Sequence, residues 1–303
     1  MKVLVTTVPF AEDNKQLDEL ISQSNLNVDF NPYGRKMSYE ELENILPNYD
    51  GVIAGTDKFD ENLLKKCKKL SFISRVGVGT DNIDHYFAEK KDIKIFSTPN
   101  EPSNAVAELT IAFSISLLRG ISINNENMKQ GNWKKELGRS LSEVSFGVFG
   151  FGNIGRKVSD LLSNLGCKNI LICDPFIKKN ISKGIFMDKE KILERADIIS
   201  LHLPLNAKTK NFIGKSEINA LKKGAYIINT ARGDLINQDE LIESLKSNKL
   251  GGAALDVYDR EPYFGELINL KNTITTSHIG PMTQETRKNM EIKAVENILE
   301  SYY

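Results

Sequence analysis

Histidine, cysteine and tryptophan are scarce in this chain: three, three and one in 303 residues. Cys67, Cys167 and Cys173 are odd in number, widely spaced and form no CxxC pair, which argues against a disulfide framework or a structural zinc site and for a reducing compartment. Net charge is absent too, with 40 Lys+Arg against 40 Asp+Glu and a pI near 6.9, so the chain as a whole has no attraction to nucleic acid or an anionic membrane. A bilayer-spanning run is also missing: the most apolar long stretch, Ala105 to Leu118, is too short and contains Glu108. No targeting segment is visible, because Glu12 and Asp13 follow the apolar Met1–Phe10 without a small-residue cleavage site. A cytoplasmic location without membrane or nucleic-acid partners is therefore expected. What is present is ordinary globular composition, 40% hydrophobic with 21 glycines, in a length that suggests two domains.

Strand-like and helix-like segments alternate. Lys2–Thr7, Asn27–Phe30, Gly51–Gly55, Phe72–Val76 and Ile93–Thr98 are short β-rich runs, with helical apolar spacing between them at Leu17, Leu20, Ile21, at Leu42, Ile45, Leu46 and at Leu63, Leu64, Leu70. Such alternation implies a parallel sheet with helices on both faces. The charged run Lys65–Lys69, interrupted by Cys67, reads as a solvated helix face. Pro99–Pro102 breaks this unit, and Ser103 is placed to cap the apolar helix Ala105–Leu118. After the polar stretch Gly120–Val144 a second series of strands follows: Ser145–Gly150, Asn169–Asp174, Ile198–Leu203, Ala225–Thr230, Gly252–Val257 and Thr273–Ser277. Thr283–Tyr303 reads as one closing helix. The fold class is α/β, with two doubly wound parallel-sheet units.

The strand Ser145–Gly150 runs into Gly150-Phe-Gly152-Asn153-Ile154-Gly155, the G-x-G-x-x-G spacing, and a helical pattern follows. Here Gly150 permits a tight turn, Gly152 lets a pyrophosphate approach the backbone, and Gly155 lets the helix pack on the strand. The helix N-terminus then offers N–H groups to the phosphates. The next strand ends in Asp174, 19 residues beyond Gly155. A carboxylate there accepts hydrogen bonds from the ribose hydroxyls of NAD and repels the 2′-phosphate of NADP. Lys178 and Lys179 follow closely and soften that preference. S-adenosylmethionine is the chief rival ligand for such a unit.

Among candidate acid–base residues, His278 in Thr-Ser-His-Ile-Gly280 lies at a strand end, where open α/β sheets bind their ligands. His202, flanked by leucines, reads as a packed, hydrogen-bonded histidine beside the cofactor, and His85 as structural. Arg232, in Asn229-Thr230-Ala231-Arg232-Gly233, is suited to a two-pronged carboxylate contact. Glu261 follows another strand, and a glutamate beside a histidine stabilises the imidazolium.

Together these segments resemble the D-isomer-specific 2-hydroxyacid dehydrogenases, in the branch of D-3-phosphoglycerate dehydrogenase-like enzymes. The resemblance runs over nearly the whole chain. Residues 75–84 (RVGVGTDNID), 98–108 (TPNEPSNAVAE), 150–155, 202–205 (HLPL), 229–234 (NTARGD), 252–257 (GAALDV), Glu261-Pro262 and 277–280 (SHIG) carry it. It implies a flavodoxin-like substrate domain of residues 1–98 plus 283–303, a Rossmann NAD-binding domain of 99–282, and an active site in the cleft between. It also implies His278 as acid/base, Glu261 as its partner, and Arg232 as anchor for the substrate carboxylate and carbonyl oxygen. Val76, Gly77 and Asn100 are implied as further substrate contacts. Val78, Leu203, Pro204, Thr230, Ala231, Asp256, His278 and Gly280 are implied as NAD contacts beside the glycine turn and Asp174. The helix Ala105–Leu118 and the polar insert after it are implied as a homodimer interface. No metal is implied.

The chain departs from the branch in three places. The stretch Gly51–Lys58 lacks the arginine that usually anchors a substrate phosphate. The usual Gly-Gly or Gly-Ala after His-Ile is Gly280-Pro281. With its end at Tyr303, the chain is expected to lack the regulatory domain of many serine-pathway members. Arg35 and Lys36, on a loop after the second strand, are the candidate replacement for the missing arginine and would admit 3-phosphohydroxypyruvate as substrate. The alternatives are a reductase of a non-phosphorylated 2-oxo acid of the glyoxylate or hydroxypyruvate type, and a non-catalytic NAD-sensing adaptor on the same fold.

Overall fold

The structure, a computed structural model, describes residues 1–176 and 183–301. Lys178 and Lys179 lie outside the described residues, as do the last two residues of the expected closing helix. The chain divides into two compact units, Met1–Pro102 with Pro281–Tyr303 and Ser103–Gly280.

In the first unit the order is β1 (Lys2–Val5), α1 (Lys15–Ser22), β2 (Asn27–Phe30), α2 (Tyr39–Ile45), β3 (Gly51–Ala54), α3 (Glu61–Lys66), β4 (Phe72–Arg75), α4 (His85–Lys90) and β5 (Lys94–Phe96). Among the described residues these strands form one parallel sheet in the order β2-β1-β3-β4-β5, the flavodoxin-like arrangement. Successive side chains of a strand point to opposite faces. Leu4, Val52, Ala54 and Ile73 therefore pack with Leu42, Leu63, Leu64 and Phe87 of α2, α3 and α4. Val3, Val5, Ile53 and Phe72 pack on the other face with Leu17 of α1. The lysines of the 65–69 run are exposed and Cys67 is buried, but α3 ends at Lys66, so only part of the run is helical.

The second unit runs α5 (Ser103–Arg119), α6 (Ile121–Lys129), β6 (Ser145–Phe149), α7 (Asn153–Asn164), β7 (Asn169–Cys173), β8 (Ile185–Phe186), α8 (Lys189–Arg195), β9 (Ile198–Leu201), α9 (Lys215–Ala220), β10 (Ala225–Asn229), α10 (Gln238–Lys246), β11 (Leu250–Leu255) and β12 (Thr273–Thr275). The described strands form a parallel sheet in the order β12-β11-β10-β9-β6-β7-β8, the doubly wound nucleotide-binding order with one strand added at the edge. Phe146, Val148, Ile170 and Ile172 pack with Ala107, Ile111, Phe113 and Leu117 of α5 and with Val158 and Leu162 of α7. Phe149, Leu171, Ile199 and Leu201 face the opposite core with Ile192, Ile218 and Leu241.

Three local expectations are corrected. Ser103 is itself the first residue of α5 and is buried, so it is not the cap preceding the helix. Most strands end one or two residues early, because the last residues of each apolar run turn away as the strand-end loops. The short β8 carries only two residues, too few for a periodic signal.

The closing helix, α11 (Gln284–Glu300), belongs to the first unit. Met290, Ala294, Val295 and Ile298 complete the core under β1 and β3, and Ser74 of β4 donates to the Ala294 carbonyl over 2.7 Å. Arg287 pairs with the buried Glu291 at 2.8 Å, and Glu291 also accepts the Ala11 N–H. Among the described residues no single helix is long and apolar enough to cross a membrane.

Candidate active site

The glycine turn of the second unit is built by contacts that a side chain would disrupt. Gly150 has φ +94°, and a Cβ on it would stand 2.5 Å from the His202 carbonyl oxygen. A Cβ on Gly155 would stand 1.9 Å from the Gly150 carbonyl oxygen, so α7 closes onto β6 only with glycine there. Over Gly152 the space is open to at least 4 Å. No side chain caps α7 at Gly152, so its first N–H groups and the positive end of its dipole face that open side. The twelve-residue helix, the bare backbone and the open space fit a pyrophosphate. Asn153 and Ile154 are the first two residues of α7.

Asp174 follows β7 and is wired to the same turn. Its Oδ2 accepts the Phe151 N–H over 2.7 Å and its Oδ1 accepts the Phe176 N–H over 2.8 Å. Each carboxylate oxygen has a second lone pair, so the group can still accept from ribose hydroxyls. His202 sits at the end of β9. Its Nε2 is 2.9 Å from Ser200 Oγ, its Nδ1 is buried with no hydrogen-bond partner among the described residues, and burial pulls its pKa down to about 3. It is therefore a neutral imidazole. Leu203 is buried beside it and Pro204 exposed.

Three strand-end loops of this unit carry the candidate chemistry. After β10, the buried Asn229 side chain braces its own loop, donating to the Arg232 carbonyl over 2.8 Å and accepting the Ala231 N–H over 3.0 Å. Arg232 Nη1 donates to the Ala231 carbonyl over 2.7 Å, and Thr230 Oγ1 lies 3.2 Å from Thr110 Oγ1 of α5. After β11 comes Glu261, and after β12 comes His278, whose φ is +58°. His278 Nδ1 and Glu261 Oε2 are 2.8 Å apart, with side chains 29% and 33% exposed. Burial works to raise the Glu261 carboxyl pKa. The hydrogen bond and charge of His278, the Tyr258 N–H and the charge of Arg232 outweigh it and hold the carboxyl below its ordinary range. His278 and Arg232 thus both act electrostatically on Glu261.

Asp256 is fully buried, and its carboxylate is turned to the His278 loop. It accepts from Thr276 Oγ1 at 2.5 Å, the Ile279 N–H at 2.8 Å and the Gly280 N–H at 2.8 Å. The braces at Asn229, Tyr258 and Thr276 escape sequence reasoning, although Asn229 two residues before Ala231 carries the spacing of an Asx turn.

The other sequence candidates, Val76, Gly77, Val78, Asn100 and Arg35, belong to the first unit. The Gly77 N–H donates to Thr98 Oγ1 over 2.8 Å, Val78 is exposed, and the Asn100 N–H donates to Glu101. Arg35 is forked onto Glu41, with N–O distances of 2.9 and 2.6 Å, and Glu41 also accepts the Ser38 N–H at the start of α2. This is a surface ion pair, with the Arg35 side chain 57% exposed, and Lys36 is exposed beside it. Among the described residues no group of three or more His, Cys, Asp or Glu side chains is placed to hold a metal ion.

A parallel sheet of this order with a glycine turn opening a helix defines a dinucleotide-binding unit. The comparisons with known proteins make the class specific. Residues 111–280 match the NAD binding domain of the D-isomer specific 2-hydroxyacid dehydrogenases, and the chain belongs to this NAD-dependent oxidoreductase family. It is 33% identical to a hydroxypyruvate reductase of Thermotoga maritima, over 94% of this chain and 95% of that one. It is 35% identical to a D-3-phosphoglycerate dehydrogenase of Methanocaldococcus jannaschii, over 95% of this chain but only 55% of that enzyme. The NAD⁺-bound 3-phosphoglycerate dehydrogenase of Entamoeba histolytica superposes with a TM-score of 0.85 at 30% identity, covering 100% of this chain and 95% of that one.

Proposed function

We propose that the chain interconverts a D-2-hydroxy acid and the corresponding 2-oxo acid, with His278 as acid/base, Glu261 as its partner and Arg232 as carboxylate anchor. The observation that carries this reading is the 2.8 Å contact between His278 Nδ1 and Glu261 Oε2 beside Arg232, in the unit that also holds the glycine turn. With Nδ1 committed to Glu261, Nε2 is the atom that gives or takes the substrate proton. The Arg232 guanidinium offers a planar pair of donors to the substrate's carboxylate and carbonyl oxygen and stabilises the charge that grows on that oxygen. Asp174 and the turn Gly150–Gly155 hold the dinucleotide. Leu203, Pro204, Thr230, Ala231 and Gly280 are assigned to its remaining contacts, while the fully buried Asp256 acts through the loop that it holds. NADH, when bound, supplies the hydride to carbon 2.

For the substrate we favour a short non-phosphorylated 2-oxo acid of the glyoxylate or hydroxypyruvate type. Gly51–Lys58 lacks an arginine, and an anion drawn to Arg35 has to compete with Glu41. A relative matched over nearly its full length is a hydroxypyruvate reductase. The D-3-phosphoglycerate reading is supported by the Methanocaldococcus relative.

Replacement of His278 tests the assignment. His278→Ala is expected to lower kcat by about 10²–10⁴-fold with NADH binding kept, the usual contribution of a positioned acid/base. Near-normal turnover would place the proton donor elsewhere.

A further inference from the structure

Tyr258 lies three residues before Glu261, and it touches all three loops that carry the candidate chemistry. Its N–H donates to Glu261 Oε1 over 3.2 Å, so the glutamate is held from both oxygens, by Tyr258 on one and His278 on the other. Its phenol oxygen is 3.0 Å from the Thr276 carbonyl, two residues before His278, and 3.2 Å from the Leu255 carbonyl at the end of β11. Its peptide is pressed onto the turn after Arg232. A Cβ on Gly233 would stand 1.9 Å from the Tyr258 carbonyl carbon and 2.1 Å from its oxygen. The ring is stacked on Tyr263, with centroids 4.4 Å apart and planes 10° apart. That stack fixes the ring plane and so the direction in which the hydroxyl points.

Asp256 holds the His278 loop and Asn229 the Arg232 loop, each on its own. Tyr258 links the loops to one another. Burial and the charge of Asp256 push its phenol pKa up to about 12, so it stays a donor across the physiological range.

We propose that Tyr258 is a positioning residue that sets the distance and orientation of Glu261 toward His278 and registers both against Arg232. The inference rests on the acid–base reading above. A loosened pair leaves the imidazolium less stabilised. The acid limb of hydroxy-acid oxidation, which needs neutral His278, then moves to lower pH.

Tyr258→Phe tests this, because it keeps the stacked ring and removes only the hydroxyl. The wild type, Tyr258→Phe, Glu261→Gln and His278→Ala are compared in both directions over a range of pH. Tyr258→Phe is expected to lower kcat by about 10-fold, since small misplacements of catalytic groups cost up to about 10²-fold. It is also expected to move the acid limb in the direction seen for Glu261→Gln and to leave KM for NADH within about twofold. Unchanged kcat and an unchanged acid limb, in a background where His278→Ala is inactive, would overturn the proposal while leaving the acid–base assignment standing. Near-normal turnover in His278→Ala would overturn both. A fluorinated tyrosine at position 258 is the second arm, nearly isosteric with tyrosine but ionising at lower pH. Turnover is expected to fall as that phenol ionises, and a pH profile identical to the wild type would overturn the proposal even if Tyr258→Phe does not fold.

Discussion

At the scale of single residues, legibility followed scarcity and chemistry. Of three histidines, one stands after a strand and two residues before a glycine, and the structure puts that one on a glutamate 17 residues away in sequence. The arginine between small residues was legible for the same reason. The braces were not. Asn229, Asp256 and Tyr258 act through backbone carbonyls and amides and Thr276 through the Asp256 carboxylate, and which group a side chain reaches is decided only when the strands are side by side. Arg35 is read from its charge and loop position, while its surface ion pair with Glu41, six residues on, emerges only in the structure. Asp174 carries a prediction at this scale. Its carboxylate already orients the glycine turn through Phe151, so Asp174→Ala is expected to weaken NADH binding by about 10–100-fold, a charge-assisted hydrogen bond or two. It is also expected to narrow the preference over NADPH, by fluorescence titration with both nucleotides. Equal binding of the two nucleotides to the unmodified protein would contradict the role given to this carboxylate.

Among the elements, most strands are legible as short β-rich runs bounded by turn residues, β2 matches its sequence limits residue for residue, and the two-residue β8 is not legible. Boundaries drifted where an apolar run continued into a functional loop. His202, Thr230 and Val257 all fall just past the last paired residue. Helix ends depended on contacts that sequence does not show. One such contact joins α8 to α9. Glu217 of α9 accepts from Lys189 of α8 over 3.0 Å and from the Gly214 N–H over 3.0 Å. Burial raises its pKa, but the lysine, the Gly214 N–H and Ser216 outweigh it and bring it down to about 2. A depressed carboxylate pKa contributes stability that is present above the unfolded value, near 4.5, and is lost as pH falls toward the folded value. Glu217→Gln is expected to lower stability at pH 7 by about 1–2 kcal/mol, and the Tm difference from the parent is expected to shrink as pH falls from about 4.5 toward 2. A difference independent of pH over that range would show that the charge contributes nothing.

For the whole molecule, the alternation of strands and helices implied two doubly wound sheets, and both strand orders agree with it. The resemblance implies a homodimer interface at α5 and the polar insert after it. The buried residues of α5 are covered by α7 and the sheet of its own unit, and exposed apolar residues lie in the insert. Ile121, Met128, Trp133 and Leu137 are exposed, and the first three, with Arg119 and Glu136, line a groove of 610 Å³. Exposed apolar clusters of this kind mark interaction surfaces. We propose that this face pairs with a second copy. Light scattering at micromolar concentration is expected to give about twice 34 kDa for the wild type and a larger monomer fraction for Trp133→Asp. A wild-type mass of one chain would contradict the pairing. The reaction itself is tested most directly by following NADH absorbance with purified protein and a panel of glyoxylate, hydroxypyruvate, pyruvate and 3-phosphohydroxypyruvate, with the chirality of the product determined. The account predicts NADH oxidation that yields the D-hydroxy acid wherever the product is chiral, with hydroxypyruvate or glyoxylate used at higher kcat/KM than the phosphorylated acid. Tight NADH binding with no turnover of any 2-oxo acid would contradict it and leave a nucleotide-sensing adaptor on an enzyme's fold.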